Sequence, residues 1–201
     1  MQYQDIQMKR ILFVIAALMP VAGFSQDAAV PLRYDYVGGS LLVPALDEIG
    51  FALEGSTAVT RNLIVFGQYL NYEPNNQIDL TTLQIGVGRV WNFRRNVDFV
   101  ASVSYSSNNI DTRRRSEFEE EGIVIGGRLK GWATDRIELS GATFFDRSRG
   151  SNTDTVVELG VQYFTEPRLS YGGKLRVDEN DSSVSLGVRF YFGASRRPIG
   201  P

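Results

Sequence analysis

The chain has no cysteine and no histidine, and only 7 of its 201 residues are proline. Without Cys there is no disulfide framework, no thiol nucleophile and no thiol for a lipid anchor. Without His, the usual general base and the commonest metal ligand are both missing. Ser–His and carboxylate–His catalytic arrangements therefore cannot be assembled. The formal net charge is only −2, which supplies no general attraction to nucleic acid. No stretch beyond the N-terminus reaches the roughly 18 consecutive apolar residues of a membrane helix. These absences leave a non-enzymatic, cofactor-free chain that binds no nucleic acid as the expectation.

What is present is alternation. Short alternating runs of apolar and polar residues recur from residue 33 onward, the last of them, 182–192, in strict period two, which places every second side chain on one face of a sheet. The runs are 33–43, 49–57, 63–72, 80–90, 97–106, 121–131, 137–146, 153–163, 169–177 and 182–192. Two kinds of connection separate them. Short turns end in Asn62, Asn96, Arg136 and Arg168, each followed by an aliphatic residue, a loose hairpin repeat. Longer polar segments lie between the other runs, the longest being 107–120. Short turns on one side and long loops on the other are the asymmetry of outer-membrane barrels. The expected fold is all-β: a closed antiparallel up-and-down transmembrane barrel of ten strands, or of eight if the weakly alternating first hairpin is not one.

Ahead of the barrel, Lys9 and Arg10 precede the apolar run 11–19, and Gly23 and Ser25 give small residues at −3 and −1. Residues 1–25 thus read as a signal peptide, and 26–201 as the barrel domain, with the barrel at 33–192 and a short periplasmic tail at 193–201.

A soluble lipid-carrying barrel would also alternate, with its apolar face inward. Three features favour lipid outside. Sorted by height, Tyr34, Tyr36, Trp91, Phe99, Trp132, Tyr163, Tyr171, Phe190 and Phe192 fall at the turn end. Phe51, Tyr69, Tyr72, Tyr105 and Phe145 fall at the loop end, so two aromatic girdles are expected. The polar faces are small, for example Gly86, Gly88, Ser102, Ser104 and Ser185, as a narrow lumen requires. The apolar faces form bands long enough to cross the hydrocarbon when tilted.

On these residues the chain resembles the small proteobacterial outer-membrane β-barrel families, broadly OmpA/OmpX-like. Within them it is most similar to a family once proposed as a quorum-sensing factor. The likeness rests on the runs Tyr34-Asp35-Tyr36-Val37, 62–69, Leu83-Gln84-Ile85-Gly86-Val87-Gly88 and 187–192. The resemblance implies a barrel in the bacterial outer membrane and carries no catalytic residue. It also implies an assembly signal in the last strand, at Phe190 and Phe192, read by the barrel-assembly machinery, although nine residues follow Phe192.

Function can reside in two places. By parity Glu54, Arg128, Lys130, Glu138, Glu158, Lys174, Arg176 and Arg189 point into the lumen, where acids on the second, seventh and eighth strands can face bases on the sixth, ninth and tenth. They form either a packed electrostatic plug or a narrow ion path. At the outer rim, Arg113, Arg114, Arg115, Arg147 and Arg149 could clamp lipopolysaccharide phosphates, against the reading that Glu117, Glu119, Glu120 and Glu121 neutralise them. The acidic tip 178–181 lacks EF-hand spacing, so no metal site is expected. The expected role is structural or surface-interacting through extracellular loops, toward outer-membrane lipid, lipopolysaccharide or an extracellular or host-surface ligand. A low-conductance channel is the alternative.

Overall fold

The computed structural model describes residues 32–44, 49–75, 78–94, 96–112, 116–148, 153–178 and 182–192. Residues 1–25, expected to be a signal peptide, Arg113, Arg114, Arg115, Arg149 and residues 193–201 lie outside the described residues. Ten strands run in chain order: β1 (Tyr36–Pro44), β2 (Gly50–Ala58), β3 (Leu63–Asn75), β4 (Ile78–Arg94), β5 (Val97–Thr112), β6 (Ser116–Trp132), β7 (Ile137–Ser148), β8 (Asp154–Glu166), β9 (Leu169–Val177) and β10 (Ser182–Tyr191). Each pairs antiparallel with its sequence neighbours, and β1 pairs with β10 from Tyr36↔Tyr191 to Pro44↔Ser183, which closes the barrel. The count is ten, and no sheet edge is left open.

The alternation sorts side chains as a bilayer requires. Leu41, Ile85 and Leu186, at 59%, 56% and 65% exposure, stand on the outside with Leu53, Leu83, Val103, Ile123 and Ile125. Ala52, Ser104, Ser185 and the eight charged residues placed inside by parity turn inward. A water-soluble carrier of this topology has the reverse arrangement.

Two expectations are corrected. Residues 107–112 and 116–120 are strand and not loop: β5 and β6 stay paired from Ser107↔Glu121 to Thr112↔Ser116. Beyond the membrane both faces of a hairpin meet water, so nothing forces apolar and polar residues to alternate, and periodicity cannot see the strand. The result is a tall wall on one side, with β4, β5 and β6 of 17, 16 and 17 residues against 9 for β1 and β9.

The second correction concerns the aromatics. Trp91, Phe99, Tyr163, Tyr171, Phe190 and Phe192 do face outward, but Tyr34, Tyr36 and Trp132 are buried inside, at 6%, 8% and 2% exposure. Tyr72 also lines the interior. Height along the barrel does not decide facing; parity does. Tyr36 precedes the outward Val37, and Trp132 continues the inward series Arg128, Lys130. The barrel wall also begins at Tyr36, not at residue 33, because 32–35 turns inward across the end of the barrel.

Candidate functional site

The interior is built in tiers, and the lowest is apolar. The last inward residues of β4, β6, β8 and β10 are Val90, Trp132, Phe164 and Tyr191, all buried. Each donates its backbone N–H to the carbonyl of a turn residue: Val90 to Asn62 at 2.8 Å, Trp132 to Asn96 at 3.0 Å, Phe164 to Arg136 at 2.8 Å and Tyr191 to Arg168 at 2.8 Å. The recurring polar residue before each aliphatic is thus the position whose carbonyl holds a floor residue in place. Phe164 stacks at a tilt on Trp132 and on Tyr191, with ring centroids 4.9 and 5.2 Å away, and Tyr36 joins Tyr191 at 5.5 Å. Leu32, Ile64 and Val100 complete the cluster.

Residues 32–35 cross this floor as a strap. Although β1 lies between β2 and β10, the Tyr34 hydroxyl donates to Asp98 on β5 at 2.8 Å, and Lys130 on β6 donates to the Arg33 carbonyl at 2.7 Å. Arg33 also donates to the Pro167 carbonyl in the turn before β9. On its own side of the barrel, the Asp35 carboxylate accepts from the Ala58 backbone N–H at 2.8 Å and the Thr57 hydroxyl at 2.9 Å. Its carbonyl accepts from the Phe192 N–H at 3.0 Å. The strap is tied to the wall around the whole circumference. The sequence reading missed this element, because the tyrosines that anchor it share the composition of a lipid-facing girdle.

Above the floor lies the ionic tier, and all eight luminal charges named from parity line the interior. Glu54 on β2 accepts from Arg189 on β10 at 2.6 Å and from Lys174 on β9 at 2.9 Å. Arg128 on β6 pairs with Glu158 on β8 at 2.9 Å, and Lys130 with Glu138 on β7 at 3.1 Å. Acids on β2, β7 and β8 therefore meet bases on β6, β9 and β10. Arg189 and Lys130 also sit over the rings of Tyr36 and Tyr34, at 4.6 and 4.8 Å from the centroids, which joins the ionic tier to the floor. Arg176, the Cα partner of Glu158, is in none of the four ion pairs among the described residues.

Small residues let these long side chains fold inward. A methyl group added to Gly126 would run into the Phe144 ring, and one added to Gly172 into the Gln162 side chain. At the rim, Arg147 lies on β7, exposed and opposite Ile123 of β6, so it belongs to the wall and not to a loop. The outward faces of the tall hairpins carry Asp79, Asp111, Glu119 and Glu121, with Glu121 accepting from the Tyr105 hydroxyl at 2.6 Å. Phe190 projects outward from β10 and Phe192 follows directly after it.

No family model matches the chain, and no curated protein matches it in sequence. Solved structures do match. The chain is similar to the KdgM porin at 9% identity and a TM-score of 0.51, covering 79% of this chain and 99% of that one. The same figures hold for the KdgM porin in complex with disordered oligogalacturonate. For the NanC porin the identity is 11% and the TM-score 0.52, over 78% of this chain and 99% of that one. At such identity the likeness is one of fold, and the chain has the closed antiparallel barrel fold of these porins.

Proposed function

We propose that the chain is a small barrel of the bacterial outer membrane with a closed lumen and no catalytic activity, working through its loop-side rim. The outward apolar belt supports the membrane address, since a closed barrel with lipid-facing aliphatics satisfies every ladder hydrogen bond without water. Short turns and both barrel ends then lie on the periplasmic side, and the tall β4–β6 wall projects outward from the cell. The interior supports closure: an apolar floor crossed by residues 32–35, with the ionic tier above it. The missing histidine supports the absence of catalysis.

The finer assignments belong to the same proposal. Membership of the OmpA/OmpX-like group, or of the family once proposed as a quorum-sensing factor, rests on strand patterns and contributes no site residue. Lipopolysaccharide is the proposed neighbour of the rim, with Arg147 and the cluster Arg113, Arg114 and Arg115 as donors to its phosphates. Phe190 and Phe192 are the proposed contact with the barrel-assembly machinery.

Fractionation with the outer membrane and heat-modifiable migration on a denaturing gel test the address; recovery as a soluble periplasmic protein would sink it. Planar-bilayer recording tests the lumen. The wild-type chain is expected to be silent, and the double variant Tyr34→Ala with Trp132→Ala to show discrete steps. Reproducible steps from the wild type would replace this reading by a low-conductance channel.

A further inference from the structure

We infer that the upper barrel is a blind binding cup for a small monoanion with an apolar body, such as an aryl- or alkyl-carboxylate, held head-down on Arg128 and Arg176. The inference rests on the closed floor of the reading above. The interior holds about 400 Å³ of water-accessible space, which runs from Tyr34 and Tyr36 at the floor past the ionic tier to Asp146 and Asp154. A cavity of a few hundred Å³ that combines stretches of apolar wall with convergent polar groups has the form of a small-molecule site.

The base of the cup has an excess of positive charge. Five bases (Arg128, Lys130, Lys174, Arg176 and Arg189) meet three acids, Glu54, Glu138 and Glu158. Each acid is already in an ion pair with a base other than Arg176. Arg128 spends one terminal nitrogen on Glu158, and its Nε is buried with no hydrogen-bond partner among the described residues. It is also the most exposed member of the tier's ion pairs, at 33%. Two guanidinium groups on β6 and β9, on either side of Glu158 on β8, can share one carboxylate through charge-assisted hydrogen bonds.

One inward step toward the loops part of the wall turns apolar, while Thr82, the Cα partner of Leu70, and Ser183 keep the rest polar. Leu70 and Ala52 are Cα partners directly above the pair Gln68 and Glu54. Phe144 and Val156 are Cα partners next to the pair Ala142 and Glu158. Leu42 adds to the same level, and all five line the cavity. Aliphatic and aromatic groups facing enclosed water stabilise nothing by themselves; an apolar ligand body would cover them. Higher on the wall, the paired Asp146 and Asp154 line the same space together with Glu120, and Asp178 lines it two residues on from Arg176. They oppose a second negative charge on the ligand, which favours a single anionic end carried by an uncharged body.

The test uses the full barrel in lipid nanodiscs, with calorimetric titration of 4-phenylbutyrate and 4-phenylbutylamine against empty nanodiscs as the blank. The carboxylate is expected to bind about tenfold or more tightly than the amine, the worth of one charge-assisted hydrogen bond. Arg176→Gln should abolish that preference, and it leaves the four ion pairs untouched. Leu70→Asn should weaken both probes while keeping their ratio. Equal or stronger binding of the amine, carboxylate binding unchanged in Arg176→Gln, or heats no larger than the blank would overturn the site. A silent bilayer recording with no binding refutes the cup alone, whereas wild-type channel steps refute the closed floor, so the two readings fail separately.

Discussion

Glu54 is the residue on which the ionic tier depends most. It is the only partner of Lys174 and Arg189 among the four ion pairs, and the three side chains are 15%, 15% and 10% exposed. Ion pairs in water contribute about 0–1 kcal/mol, while removing one member of a buried pair costs about 3–5 kcal/mol, because an uncompensated charge stays behind. Glu54→Gln keeps the shape and removes the charge, leaving Arg189 without its ion-pair partner and Lys174 with only the field of Glu158. The expected loss is therefore in the upper part of that range, about 4–5 kcal/mol. Urea unfolding of the chain refolded in lipid vesicles measures it. The gel shift reports closure of the barrel, and fluorescence of the buried Trp132 reports the floor. A cycle with Arg189→Gln should return a coupling of about 1–3 kcal/mol, since the second substitution removes a charge that the first has already orphaned. A loss below about 1 kcal/mol with strictly additive effects would show that water screens these charges and would refute the packed tier.

Three further outcomes follow from the packing. Gly126→Val should cost about 1–3 kcal/mol by driving a side chain into Phe144, while Gly141→Ala, where a methyl would meet Leu159 at ordinary van der Waals distance, should be tolerated in the same urea assay. Ile85→Arg on the outward belt should cost about 2–4 kcal/mol in vesicles; no change would contradict a lipid-facing belt. Tyr34→Phe removes the donor to Asp98 and leaves that carboxylate with Asn92 at 2.7 Å. It should cost about 1.5–3 kcal/mol, and a value near zero would mean that the strap is not anchored there.

The strand count, the closure and the facing of the luminal charges were all legible in the sequence. They follow from period two, and a bilayer outside with a narrow lumen inside enforces that period over the membrane-spanning residues. Two parts were not legible, for different reasons. The tall hairpin through Ser107 and Glu121 carries polar residues on both faces, since water lies on both sides of it, so its strands look like loop. The inward turn of residues 32–35 depends on partners on β5, β6 and the turn before β9, far away in the chain. Nothing local distinguishes an aromatic anchored to Asp98 from one that faces lipid headgroups. Within the ionic tier, parity placed the acids and bases on opposing strands, but the meeting of Glu54 with Arg189 also needs Gly38, the Cα partner of both, to leave room between them.

The floor also has a bearing on how the barrel is made. Four of its residues come one from each of β4, β6, β8 and β10, Tyr36, Ile64 and Val100 come from β1, β3 and β5, and the strap that crosses them precedes β1. Tyr191 arrives last, at the end of the final strand, and only the β1–β10 seam brings it against Tyr36. An assembling chain with a hairpin missing lacks one aromatic or aliphatic member of the floor, and one with an open seam lacks the ring that ties the strap to its far side. The apolar cluster therefore acts as a tally of completed hairpins, and its full stabilisation is reached only in the barrel that has the right number of strands and has closed.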